Sequence, residues 1–105
     1  MFVRFVAESA AAELVEPDDC TKFHVEAASS VSADVLAAGL ASCGAAAAAP
    51  DGGFLVAVAW VRAQAAGRTA GDWDERFARM LGYAQSKGWL SQDGEAVTAH
   101  VVTTG

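Results

Sequence analysis

The chain has 105 residues, of which 53% are hydrophobic and 19% are charged, and these values are typical of one globular domain. Its formal net charge of −6 argues against contact with a phosphate backbone, so a nucleic-acid partner is excluded. The sequence contains no uncharged run of about 18 apolar residues, which excludes a membrane-spanning helix.

Two strands are predicted within the first 27 residues. An apolar run covers Phe2–Val6, and Thr21–Ala27 alternates between apolar and polar side chains. Alternation of this kind predicts a strand with one buried face. Residues 10–15, between the two strands, are ambiguous. They suit a short helix, which Pro17 would stop.

A helix is predicted to begin after Ser32, whose side chain can cap it, with Asp34 in the first turn. Gly44 is a natural end for this helix, although residues 45–49 offer an extension by one turn. We expect its apolar face to consist of five residues: Val35, Leu36, Gly39, Leu40 and Cys43.

Two further strands are predicted in the second half, after the turn Pro50–Gly53. Residues Phe54–Trp60 are apolar on both faces, as expected of a central strand that is covered on both sides. Residues 61–68 either continue that strand or begin a short helix. The last predicted strand, Ala96–Thr103, again alternates.

A second principal helix is predicted from Asp72, which forms a capping-box pattern with Glu75. Gly88 is expected to end it, and Trp89 is then placed to pack back on the final turn. The spacing predicts a buried stripe of five residues: Trp73, Phe77, Met80, Leu81 and Ala84.

Together these elements predict a single α+β domain over residues 1–105. The expected assembly is a four-stranded sheet, mixed or antiparallel, with two main helices. A ferredoxin-like arrangement is one candidate for its topology.

The second helix also carries a cationic flank beside its buried stripe. A row of this kind, with a tyrosine hydroxyl in it, can hold the carboxylate or phosphate of a small metabolite. The competing interpretation is an ordinary solvated flank, because Asp72 and Glu75 each lie four residues before an arginine. The four residues of the flank are Arg76, Arg79, Tyr83 and Lys87.

Histidines and cysteines are few. His24 and His100 lie on predicted strands and can meet across the sheet near Glu26, in a combination that suits zinc. No recognised metal signature accompanies them, so we assign no metal, no cofactor and no catalytic residue. Cys20 and Cys43 form neither a disulfide framework nor a CxxC pair, and early acidic residues argue against a signal peptide. These features predict a cytoplasmic location.

Two functional hypotheses follow, and enzymatic activity is left open between them. The first is a small binding or accessory domain without catalysis, which self-associates or binds a protein partner through surplus apolar surface. The second is a protein for anionic metabolites, or a small acid–base enzyme, with a pocket between helices and sheet. The candidate ligand-binding residues are Arg76, Arg79, Tyr83, Lys87, His100 and Trp60.

Overall fold

The computed structural model describes residues 1–50 and 52–104, which form seven strands and three helices. Asp51, in the predicted turn Pro50–Gly53, lies outside the described residues. In chain order the elements are β1 (Phe2–Val6), β2 (Ala11–Val15), β3 (Val25–Ala28), α1 (Ala33–Ser42), β4 (Ala46–Ala48), β5 (Phe54–Ala57), α2 (Val58–Ala65), α3 (Trp73–Ser86), β6 (Ala96–Ala99) and β7 (Val101–Thr104).

The first sheet is mixed and has the strand order β2-β1-β3-β7. Strand β2 runs antiparallel to β1, whereas β3 is parallel to both β1 and β7. In the register, Val3 lies beside Val25, and Val25 lies beside Val101. Leu14 lies beside Val3 on the other side. This row of apolar side chains forms the core face of the sheet.

A second, antiparallel sheet has the order β4-β5-β6. The predicted strand Ala96–Thr103 is divided between the two sheets: β6 pairs with β5, and β7 pairs with β3. His100 is the residue at which the chain crosses over. Next to this crossover, Gly53 lies close to the backbone of Ala99. A Cβ atom at Gly53 would lie 2.7 Å from the Ala99 carbonyl oxygen.

The α+β class and a mixed sheet of four strands are confirmed. The ferredoxin-like arrangement is not, because the strands divide between two sheets and β5 belongs to the second. The Cα radius of gyration, 13.0 Å, matches the value of about 13 Å for a compact domain of about 100 residues. No helix in the part of the chain described here could cross a bilayer.

One hydrophobic cluster takes side chains from all three helices and both sheets. Phe54 and Trp73 belong to it, each 5% exposed. These two aromatic residues therefore exclude water from the fold, as predicted. The largest side chains that are fully buried are Phe77, Met1, Leu14, Leu40, Val3, Val25, Val56 and Val61.

The helix ends follow local sequence signals. The Ser32 side chain accepts a hydrogen bond from the Val35 N–H (3.1 Å), which confirms the predicted cap of α1. After α3, Gly88 is left-handed (φ +77°) and the N–H of Trp89 donates to the Ala84 carbonyl at 2.8 Å. This bond closes a Schellman motif, in which the helix ends on a left-handed glycine.

Two details of the predicted helices are wrong. Asp72 does not cap α3 with its side chain, because its carboxylate lies 3.3 Å from the Arg76 Nε instead. On α1, Val35 is 54% exposed and Cys43 is also exposed. The buried face of α1 consists of Leu36, Gly39 and Leu40.

Two alanine-rich segments that suited helix are strands. Residues 11–15 pair with β1 as a hairpin, and residues 46–48 pair with β5. Gly44, at φ +76°, ends α1 before the second segment. Alanine favours helix by its own propensity, but a neighbouring strand that needs a partner overrides a preference of this size.

The predicted strands Phe54–Trp60 and Thr21–Ala27 are both shorter in the structure. The first becomes helix α2 at Val58, and the second is paired as a strand only from Val25. Short apolar runs do not distinguish strand from buried helix. Within α2 the buried residues are Val58, Val61 and Ala65, and spacings of three and four are those of a helix.

Candidate ligand-binding groove

A groove of about 590 Å³ lies between α3, the segment 18–23 and β6. Its volume is within the range of about 300–1,000 Å³ that ligand pockets usually have. The residues that line it are Asp18, Asp19, Cys20, Thr21, Lys22, Phe23, Arg76, Arg79, Met80, Tyr83, Ala84, Trp89, Val97 and Thr98.

One wall of the groove is an irregular segment that α3 holds in place. The Trp73 indole N–H donates to the Pro17 carbonyl at 2.6 Å. The Arg76 guanidinium donates to the Asp18 carboxylate at 2.7 Å, and it also donates to the Asp18 carbonyl. Arg76 therefore serves mainly to position this wall, because its hydrogen bonds are used within the protein.

Asp18 joins the wall to the start of α3. Its carboxylate accepts a hydrogen bond from the Ala70 N–H at 3.0 Å. This hydrogen bond is the main reason that the pKa of Asp18 lies below its ordinary value, and the hydrogen bond from Arg76 is the second. Since the folded state favours the ionised form, Asp18 stabilises the fold above the pKa of an unfolded aspartate.

We expect Asp18→Asn to lower stability at neutral pH, with a difference that shrinks in acid. The stabilisation by Asp18 begins to decline as the pH falls below about 3.9, the ordinary aspartate pKa. The decline is complete once the pH has passed the lower folded pKa, where Asp18 is protonated in both states. Urea unfolding of both proteins across this range checks the prediction. A difference that does not change with pH would assign the effect to geometry alone.

The groove has an aromatic end formed by Tyr83 and Trp89. Their rings meet edge to face, with centroids 6.0 Å apart, and they are 58% and 46% exposed. The left-handed turn at Gly88 brings Trp89 back along α3 and so creates this pair. Trp89 packs on the final turn as predicted, but much of its ring faces solvent. Exposed aromatic surface beside a groove is typical of a binding site.

Cationic groups stand at the rim. Arg79 has a side chain that is 78% exposed, and its nearest carboxylate, Glu75, is 3.9 Å away. Lys87 places its ammonium 5.5 Å from the centroid of the Tyr83 ring. An exposed ion pair as long as that of Arg79 contributes little. The Arg79 guanidinium is therefore available to a ligand.

A thiol also lines the groove. Cys20 is the thiol in its lining, and burial raises the pKa of that thiol. Nucleophilic cysteines have a lowered pKa, which increases the reactive thiolate. The lining residues, all of which are described, include no histidine that could act as a base for the thiol.

The predicted ligand-binding residues fall into three places. Arg76, Arg79 and Tyr83 line the groove. Lys87 lies next to it, against the Tyr83 ring. The other two lie elsewhere: Trp60 packs on the core from α2, and His100 is exposed between β6 and β7. Trp60 and His100 are therefore not part of the groove.

The two histidines form a separate cluster, with ring centroids 6.0 Å apart. The two rings lie near each other as predicted, but each histidine immediately precedes a strand, β3 or β7, and is not part of it. His24 stacks on Phe2 at 4.8 Å, and its Nε2 lies 3.7 Å from Glu26. Glu26 also accepts a hydrogen bond from Arg4. Within residues 1–50 and 52–104, no group of three or more metal-binding side chains is placed to hold an ion.

Sequence reasoning missed the segment 18–23 as a wall of the groove. Residues 21–23 were assigned to the predicted strand Thr21–Ala27, and contacts across more than 50 positions, such as Asp18 with Arg76, leave no periodic signal. One signal was present: Arg76 begins the cationic flank, so an acidic segment was a natural partner for it. In comparisons with known proteins, no family model, curated protein or solved structure matches this chain. Its function therefore has to be inferred from the residues themselves.

Proposed function

We propose that this chain is a small binding domain that acts without catalysis and takes an organic anion with a flat apolar body into the groove. The observation that carries this proposal is the combination of Tyr83 and Trp89, exposed at one end, with the Arg79 guanidinium at the rim. An aromatic platform favours a flat ligand, and a guanidinium favours a carboxylate or phosphate.

The interior of the groove supports a ligand with an apolar body. Phe23 and Met80 are partly buried and pack against the core, and Val97 is 5% exposed. Covering apolar surface of this kind contributes about 25 cal/mol per Å². The anionic end of the ligand would lie toward Arg79, where solvent access keeps the cost of desolvation low.

The charge of the whole chain narrows the class of ligand. With a net charge of −6, the protein repels extended polyanions, and the basic residues of the groove act only over a short range. Asp18 and Asp19 also line one wall. With this distribution of charge, we expect a small ligand with a single carboxylate to bind better than a polyphosphate.

The proposal predicts that 2-naphthoate binds in the groove and that neutral 2-naphthamide binds more weakly. The two probes share an apolar body and differ in the anionic group. The indole N–H signals of the three tryptophans report the site by NMR, because Trp89 lines the groove whereas Trp60 and Trp73 do not. A shift confined to Trp89 supports the proposal. Equal affinity for both probes would contradict it.

Arg79→Ala is expected to weaken naphthoate binding about tenfold, which is the loss of one charge-assisted hydrogen bond. Naphthamide binding should change little. Arg62→Ala is the matched control, since Arg62 also pairs with an acid of α3, Asp74 at 3.6 Å, but lies outside the groove. If both substitutions weaken naphthoate binding equally, a general effect of charge would explain the result, and the proposed contact with Arg79 would be wrong.

A further inference from the structure

Strand β7 is the last strand in the order β2-β1-β3-β7, and no other strand among the described residues pairs with its outer side. In the register of β3 with β7, Val25 lies beside Val101 and donates to the His100 carbonyl at 2.9 Å. Backbone groups of successive strand residues point to opposite sides. The N–H and C=O groups of Val101 and Thr103 therefore point away from β3.

The opposite edge of the same sheet is protected. Arg68 donates to the Leu14 carbonyl at 2.9 Å, on the outer side of β2, and Glu13 adds a charge to that strand. Strand β7 has the sequence VVTT, without charge or proline, and its last three residues are exposed. Natural edge strands usually carry such protection against pairing with another chain. Its absence on β7 indicates an edge that pairs.

We propose that β7 pairs antiparallel with β7 of a second copy of this chain, about a two-fold axis at Val102. In this register Val101 lies opposite Thr103 of the other copy. Both residues direct their free backbone groups outward, so the two copies exchange hydrogen bonds at each end of the contact. The edge is thus complementary to itself, as a two-fold interface requires.

The exposed side chain of Val102 would lie at the centre of the contact, on the two-fold axis. A residue on the axis faces its own copy in a non-hydrogen-bonded pair, with Cα atoms about 4.5 Å apart. Val102 is 36% exposed, and pairing would bury the two valines against each other. This apolar contact commits the edge to a second copy of the chain in preference to an arbitrary extended peptide.

The negative charge of the chain does not oppose this contact. Glu26 lies beside Val102 on β3 and pairs with Arg4. Across the axis the two Glu26 residues would be three strand spacings apart, about 14 Å. That separation exceeds the screening length of about 8 Å at physiological salt. The contact is small, so we expect a weak dimer.

Sedimentation equilibrium tests the proposal at protein concentrations from about 10 μM to 1 mM, which cover the dissociation constants of a weak dimer. The mass of the wild-type chain should rise toward that of a dimer. Val102→Lys places two like charges on the axis and should keep the chain monomeric. Val35→Lys, at an exposed valine of α1, is the control and should behave as the wild type.

Cross-linking tests the register itself, in a background in which Cys20 and Cys43 are replaced by serine. Val102→Cys should form a disulfide dimer on oxidation, because paired Cα atoms about 4.5 Å apart lie within disulfide reach. Thr104→Cys is the control, since it would face His100 of the other copy. A monomeric wild type, a dimer that survives Val102→Lys, or equal cross-linking at both positions would overturn the proposal. If the wild-type chain is monomeric, any strand that pairs with β7 would have to come from another protein.

Discussion

Phe77→Ala is expected to lower the free energy of unfolding by about 3–5 kcal/mol, the usual cost of deleting a buried phenylalanine ring. Phe77 is 1% exposed, and its ring stacks on Trp73 with centroids 4.7 Å apart. The Arg62 guanidinium lies 5.0 Å from the ring centroid. A domain of this size has about 5–15 kcal/mol of total stability, so much of it would be lost. Urea unfolding measures the change.

Tyr83→Ala is the matched control for this prediction. It removes an aromatic ring from the same helix, but one that is 58% exposed. We expect a loss within about 1 kcal/mol, as for most surface substitutions. Similar losses for the two variants would mean that burial does not decide the contribution of the rings on α3.

The second large effect is predicted at a glycine. A Cβ at Gly39 would lie 2.3 Å from the Cε1 atom of Phe5, a ring that is itself 5% exposed. Gly39→Ala is therefore expected to cost about 1–3 kcal/mol through overpacking. This loss would appear even though alanine favours helix over glycine by about 1 kcal/mol.

Gly82→Ala makes the same chemical change in α3, where a new Cβ would meet no atom within 4 Å. There we expect a gain of about 0.5–1 kcal/mol in the free energy of unfolding, from helix propensity alone. Thermal or urea unfolding of the two variants should thus shift in opposite directions. A gain at both positions would show that the Phe5 ring moves aside without cost.

The two surfaces proposed for binding are separate, so their tests are independent. The groove is lined by α3, the segment 18–23 and β6, whereas the pairing edge is β7. Arg79→Ala should therefore leave self-association unchanged, and Val102→Lys should leave naphthoate binding unchanged. Failure of one proposal does not count against the other.

Local features were predictable from the sequence because short-range interactions decide them. Of the predicted stripe on α3, Trp73, Phe77 and Ala84 are buried, whereas Met80 and Leu81 are only half-buried. Ser32 caps α1, and Gly88 ends α3. Each depends on contacts within about one turn of helix. Arg76, Arg79 and Tyr83 came together in the prediction for the same reason, since spacings of three and four place them on one face.

Tertiary structure decided what these short-range rules leave open. Residues 11–15 and 46–48 became strands because β1 and β5 offered them partners. The predicted strand Ala96–Thr103 was divided at His100 because each half pairs in a different sheet. The segment 18–23 became a wall of the groove through contacts with α3 from more than 50 residues away. Pairing and long-range contact depend on which surfaces meet after the chain has collapsed, and no local spacing encodes that choice.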